Sequence, residues 1–121
     1  MALVLRHLQP LCEADLEALR GFAERNRVAM YLQPGGVDSV RPLWPAQPAL
    51  SFRLEPWNVT LAFRPLDFIQ VNARLNEAMI ARTFELLDLR AGDRVLDLFC
   101  GLGNFTLPMA RIAAEVVGVE G

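Results

Sequence analysis

Hydrophobic residues recur along this chain with two different periods, and the points where one period gives way to the other mark out its elements. Residues 2–5 form a short apolar run, as a strand does. From 13 to 27 the spacing lengthens: Leu16, Leu19, Phe22 and Ala23 fall on one side of a helix, and Glu17, Arg20 and Glu24 on the other. Glu13 and Asp15 in the first turn suit the positive end of its dipole. Residues 28–32 return to a strand pattern, which Gln33-Pro34-Gly35-Gly36 ends as a turn. The stretch 42–48 holds Pro42, Trp44, Pro45 and Pro48 without a period and predicts an irregular loop. Residues 50–54 and 59–63 alternate, which predicts a hairpin turning at Glu55-Pro56-Trp57-Asn58. Strand, helix, strand and hairpin make a small α+β subdomain over residues 1–66, suited to scaffolding or substrate approach.

A second domain is expected over residues 67–121. After an extended link, Asn72 is placed to cap a helix running from 73 to about 89. Ile80, Phe84 and Leu87 form its core stripe, widened by Met79 and Leu86, while Arg74, Glu77, Arg82 and Glu85 face water. The methionines are spread through such core faces and read as packing. Gly92 is a natural stop for this helix. The apolar run 95–99 then predicts a buried parallel strand, and the carboxylate of Asp97 within it suits a strand whose end opens onto a ligand. Gly101 and Gly103 permit positive φ and remove the Cβ atoms that would hold a ligand off the backbone. Helical spacing resumes at Asn104, a good N-cap, with Leu107, Ile112 and Ala113 or Ala114 able to face a sheet and Pro108 loosening the first turn. Residues 115–119 are a second buried strand, closed by Glu120.

Strand, glycine loop, helix, strand and acid together make a nucleoside-binding βαβ half, whereas the two glycines alone would mark no more than a tight turn. An acid about 20 residues beyond the first glycine lands beside the ribose hydroxyls. A dinucleotide site prefers a third glycine where Thr106 stands, which leans against a nicotinamide-dependent oxidoreductase without removing it. A cofactor that carries an amino acid and a sulfonium needs only close backbone approach, a nearby carboxylate such as Asp97, and the ribose-binding acid. S-adenosylmethionine answers to that description. A noncatalytic interaction module that keeps a nucleoside-binding fold is the alternative from another class.

Composition narrows these options. The 121 residues are 53% hydrophobic, typical of a core-forming protein, and the net charge of −2 supplies no global basic field to attract nucleic acid. All basic residues are Arg, which reads as genomic base composition. Cys12 and Cys100 lie far apart without metal-ligand spacing, so no metal site is expected and a reducing cytoplasm is the expected setting. Neither a signal-peptide pattern nor an apolar run of the ~20 residues that cross a bilayer is seen, so no membrane partner is expected. His7, at the exit of the first strand, reads as a structural or surface residue.

Two motifs carry a family resemblance. Asp67-Phe68-Ile69-Gln70-Val71-Asn72, followed by Asp97-Leu98-Phe99-Cys100-Gly101-Leu102-Gly103-Asn104-Phe105-Thr106-Leu107-Pro108, closely resembles the bacterial 23S rRNA (uracil-5-)-methyltransferases of the RlmD (RumA) type. Val4-Leu5-Arg6-His7 and the first helix fit the part that precedes the catalytic domain in that family. The resemblance implies a Rossmann-like methyltransferase domain beginning at 67, with S-adenosylmethionine contacted by Gln70, Phe99, Asn104 and Glu120 beside the close-approach loop at Gly101. It implies 23S rRNA as partner. It also implies a reaction in which a cysteine thiolate adds to carbon 6 of uracil, carbon 5 is methylated, and a base removes the carbon 5 proton. Cys100 lies in the glycine loop and does not match the family's nucleophile, which belongs to a later motif, so no catalytic residue is expected here. The family's four-cysteine iron–sulfur site cannot be built from two cysteines. The chain therefore reads as a fragment: inactive by itself, weak in cofactor binding, and open to self-association through the unpaired edge of its last strand.

Overall fold

The computed structural model describes all residues from Met1 to Gly121 and is mixed α/β, built on three small sheets. Two compact units are present: Met1–Leu50 with Arg64–Asp67, and Ser51–Phe63 with Phe68–Gly121.

In the first unit, β1 (Ala2–Arg6) and β2 (Ala29–Gln33) pair in parallel from Ala2↔Ala29 to Arg6↔Gln33. Parallel neighbours need a crossover, and α1 (Glu13–Asn26) supplies it. The Cys12 backbone N–H donates to the Asp15 carboxylate at 2.9 Å, closing the start of α1, and Arg27 ends it in the left-handed region at φ 53°. Ala23, Val28 and Met30 form the core, with Leu19, Leu43 and Trp44 packed against it. Phe22 is 43% exposed, so the buried face of α1 is narrower than its spacing predicts. A further strand, β3 (Arg41–Trp44), pairs antiparallel with β2 where an irregular loop is expected. Pro42 has no N–H for a ladder, but β3 lies at the edge of the order β1-β2-β3, where proline is tolerated.

In the second unit, β4 (Ser51–Leu54) and β5 (Val59–Ala62) form the expected hairpin, turned by a 3-10 segment at Glu55–Trp57 and by Asn58 at φ 52°. Its apolar side packs on α2 (Ala73–Leu87): Leu54, Val59 and Leu61 share one core with Ile80, Phe84 and Met109. Trp57 meets Phe84 edge-on, with ring centroids 5.6 Å apart. Asn72 caps α2 as expected, its Oδ1 accepting from Leu75 N at 3.1 Å. The helix stops at Asp88, in the left-handed region at φ 49°, before Gly92 is reached. Leu86 and Leu87 are 70% and 56% exposed, so the inward stripe is Asn76, Ile80 and Phe84.

The last two strands, β6 (Arg94–Leu98) and β7 (Glu115–Val119), pair in parallel from Arg94↔Glu115 to Leu98↔Val119, and an Arg94–Glu115 ion pair stands at the start of the register. Between them only α3 (Thr106–Met109) is helical. Pro108 has no N–H to extend the ladder, and tighter turns follow, with Arg111 N–H on Pro108 O and Ile112 N–H on Met109 O. Pro108 and Met109 are buried while Leu107 turns outward. Val95 and Val116 pack on the core, but Leu96, Leu98, Val117 and Val119 are exposed. The strands are therefore half-buried rather than buried throughout. No helix is long and apolar enough to cross a membrane.

Candidate functional site

The site grows out of the end of β6. The strand stops at Leu98 rather than Phe99, because Phe99 takes φ 59° and turns its ring outward, leaving it 86% exposed. Cys100 N–H still reaches Val119 O at 3.1 Å, so the loop remains attached to β7 for one more residue. Gly101 follows at φ 55°, and a Cβ built there meets nothing within 4 Å. Its backbone is thus both left-handed and open to an approaching ligand. A Gly103 N–H to Cys100 O bond of 2.9 Å closes the turn that leads into α3.

Sequence reasoning makes Asn104 the cap of the next helix, and the structure corrects this. The cap position belongs to Phe105, and no side chain caps α3. The Asn104 amide instead forms a reciprocal pair with Asn76 of α2: Asn76 Nδ2 donates to Asn104 Oδ1 at 2.9 Å, and Asn104 Nδ2 to Asn76 Oδ1 at 2.8 Å. Asn76 is 2% exposed, the one buried polar side chain. Its signal in the sequence is a polar residue occupying the first place of the stripe 76, 80, 84.

Asp97 is also committed. Its Oδ2 accepts from Thr106 Oγ1 at 2.5 Å, so the residue standing at the third-glycine position pins the start of α3 to β6. Glu120, one residue beyond β7, accepts the Gly101 N–H on its Oε2 at 2.7 Å. One carboxylate oxygen holds the loop, and the other takes no part in that bond.

Gln70, Phe99, Gly101 and Asn104 line one cleft of about 180 Å³, together with Phe68 and Met79, which sequence reasoning does not single out as binding residues. Glu120 does not line this cleft; it is tied to the cleft's loop by the bond from Gly101 N–H. The cleft offers apolar rings, an open backbone and amide groups, the mix by which small-molecule sites orient a ligand. Its volume is below the roughly 300–1,000 Å³ of sites that enclose a whole cofactor. Cys100 borders it, with Sγ 2.9 Å from where a Cβ on Gly118 would lie. No group of three His, Cys, Asp or Glu side chains is arranged to hold a metal ion.

The family model described as tRNA (Uracil-5-)-methyltransferase matches residues 54–120, which include the glycine loop and all of the cleft but Phe52. The chain belongs to the tRNA (uracil-5-)-methyltransferase family. Within the family it is 66% identical over 121 residues to the 23S rRNA (uracil(1939)-C(5))-methyltransferase RlmD of Xanthomonas campestris pv. campestris (strain 8004). It is 64% identical to the protein of that name from Xanthomonas axonopodis pv. citri (strain 306) and 62% identical to that from Xylella fastidiosa (strain Temecula1 / ATCC 700964). Each match takes in 100% of this chain and 27% of the relative's length.

Proposed function

We propose that this chain belongs to an S-adenosylmethionine-dependent enzyme that methylates carbon 5 of a uridine in 23S rRNA, and that its part is to hold the cofactor. On this reading residues 67–121 are the N-terminal part of a Rossmann-like methyltransferase domain, with β6, the glycine loop, α3 and β7 as its first βαβ, and residues 1–66 are a small central subdomain whose hairpin, β4 and β5, packs on α2. The observation that carries the proposal is the convergence of Gln70, Phe99, Gly101 and Asn104 on one cleft, with Glu120 bonded to its loop.

The residues fit such a cofactor. The second oxygen of Glu120 can accept from the ribose hydroxyls, and charge-assisted bonds of this kind are about twice as strong as neutral ones. The absence of a Cβ at Gly101 leaves room for close contact with backbone. The amides of Asn104 and Gln70 suit the polar amino-acid end, and the exposed Phe99 ring offers an apolar surface. When bound, the cofactor supplies a methyl group on a positively charged sulfur. The nucleophilic cysteine, the iron–sulfur ligands and the RNA grip are not assigned to residues of this chain; Cys100 has a packing role in the loop. The setting proposed is cytoplasmic, with 23S rRNA as the partner of the whole enzyme. The exposed Leu96, Leu98, Val117 and Val119 favour self-association of the isolated chain.

The test is titration of the ¹⁵N-labelled chain with S-adenosylhomocysteine, a stable product analogue. Weak, saturable shifts at Gln70, Gly101, Asn104 and Glu120 are expected, without response to NAD. A response to NAD alone, or none up to millimolar S-adenosylhomocysteine, removes the reading. Tight binding by a monomer in calorimetry would show the chain to be a complete cofactor site, against its incomplete cleft.

A further inference from the structure

The one buried polar side chain, Asn76, spends its amide on Asn104. Nothing in the stability of α2 requires an amide there. The neighbouring stripe positions are Ile80 and Phe84, and an apolar residue at 76 would continue the core without the cost of desolvating a carboxamide. What the pair does accomplish is orientation. A carboxamide has two N–H donors and two acceptor lone pairs. The pair uses one of each on Asn104 and leaves one of each. Turning either amide alone would set N–H against N–H and oxygen against oxygen, so the two hold each other's sense. α2 is in turn anchored one turn earlier by the Asn72 cap, with Asn76 N–H on Asn72 O at 2.9 Å.

We infer that Asn76 is a positioning residue: it clamps the Asn104 amide so that one fixed donor and one fixed acceptor are presented to the amino-acid end of the cofactor. This rests on the cofactor-site reading above. It assigns to α2, an element outside the glycine loop, a share in setting cofactor affinity. The ordering of Asn104 before the ligand arrives removes a rotamer loss from the binding step.

Asn76→Asp separates positioning from packing, because the side chain keeps its size and changes only its hydrogen-bonding groups. As a carboxylate, the new side chain accepts from Asn104 Nδ2 but cannot donate to Oδ1. As a neutral acid it does both, and burial raises the pH at which the acid form takes over. S-adenosylhomocysteine affinity, read from ¹H–¹⁵N shifts at Gly101, is expected to fall about tenfold in N76D at pH 8 and to recover toward wild type at pH 5.5. The wild-type value stays level over the same interval. Asn76→Ala is expected to lose affinity at both pH values, and adding N104A to N76A is expected to cost little more. If wild type binds and N76D matches it at both pH values, the positioning role is wrong while the cofactor site stands. If N76D is weakened equally at both pH values while its side-chain carboxyl carbon shows the acid form at pH 5.5, restoring the donor does not restore binding and the inference also fails. If wild type does not bind, the site reading itself has failed. Unaltered core methyl signals from Ile80 and Leu54 report that each variant is folded; should N76A unfold, the N76D comparison decides alone.

Discussion

Glu120 Oε2 accepts the backbone N–H of Gly101 at 2.7 Å, so the acid that follows β7 ties down the loop that leaves β6. The two ends of the parallel pair are thereby joined at the point where the chain turns left-handed. The same carboxylate is the one expected to meet a ribose, which gives it two duties on two oxygens.

Replacing it by glutamine separates those duties. Glu120→Gln retains an oxygen for Gly101 but gives up the charge and the second acceptor. Hydrogen bonds to charged groups contribute roughly 1.5–3 kcal/mol, so S-adenosylhomocysteine affinity is expected to drop by about 10- to 100-fold with little change in the loop's amide spectrum. A calorimetric affinity equal to wild type would dissociate Glu120 from the ligand.

Gly118 is needed for space rather than for an unusual backbone. A Cβ there would lie 2.9 Å from Cys100 Sγ and 3.1 Å from Thr106 Oγ1. Gly118→Ala is expected to destabilise the chain by about 1–3 kcal/mol in urea denaturation, as overpacking does. Adding Cys100→Ala is expected to restore part of the loss; no restoration would place the strain elsewhere.

The Thr106 hydroxyl at 2.5 Å from Asp97 Oδ2 is a second tie between α3 and β6. Thr106→Val keeps the shape and removes the donor, leaving a half-buried carboxylate short of a partner at a cost of about 1–3 kcal/mol. Thr106→Ser is expected to stay close to wild type. Equal denaturation midpoints for the valine and serine variants would show the bond to contribute nothing.

Asp15 sets a pH dependence in the first unit. Hydrogen bonds from the Cys12 side chain and then from the Cys12 backbone N–H hold its carboxyl below the ordinary value of 3.8. A depressed carboxyl contributes stability that is complete above its unfolded pKa and is lost as pH falls through its folded one. In NMR titration the Asp15 carboxyl carbon is therefore expected to show a midpoint below 3.8, and Asp15→Asn is expected to flatten the acid limb of the stability curve. A midpoint at or above 3.8 contradicts the cap.

Much of the chain's local order is legible without coordinates, and the failures are informative. Asn72 as a cap follows from residue chemistry within one turn, and the structure has it. The strand β3 is hidden because Pro42 breaks every strand rule except the one for edges, and an edge position is a property of the sheet. Leu107 and Phe22 have the right spacing for a core, yet both lie substantially exposed, since periodicity says which residues share a face and not how wide a neighbour covers it. The units divide similarly: the hairpin from Ser51 to Ala62 follows the first strands in sequence but shares its core with α2.

The sequence by itself determined most of the elements but not β3, together with the open glycine at 101, the acid at 120 and the likeness to a methyltransferase family, because each depends on residue type and short spacing. Only the tertiary structure decided what the polar groups hold. It set Asn104 against Asn76, 28 positions apart, Thr106 against Asp97, and one oxygen of Glu120 against Gly101. A buried or half-buried polar atom must find a partner wherever packing brings one, and that choice is made by the folded neighbours rather than by the adjacent residues.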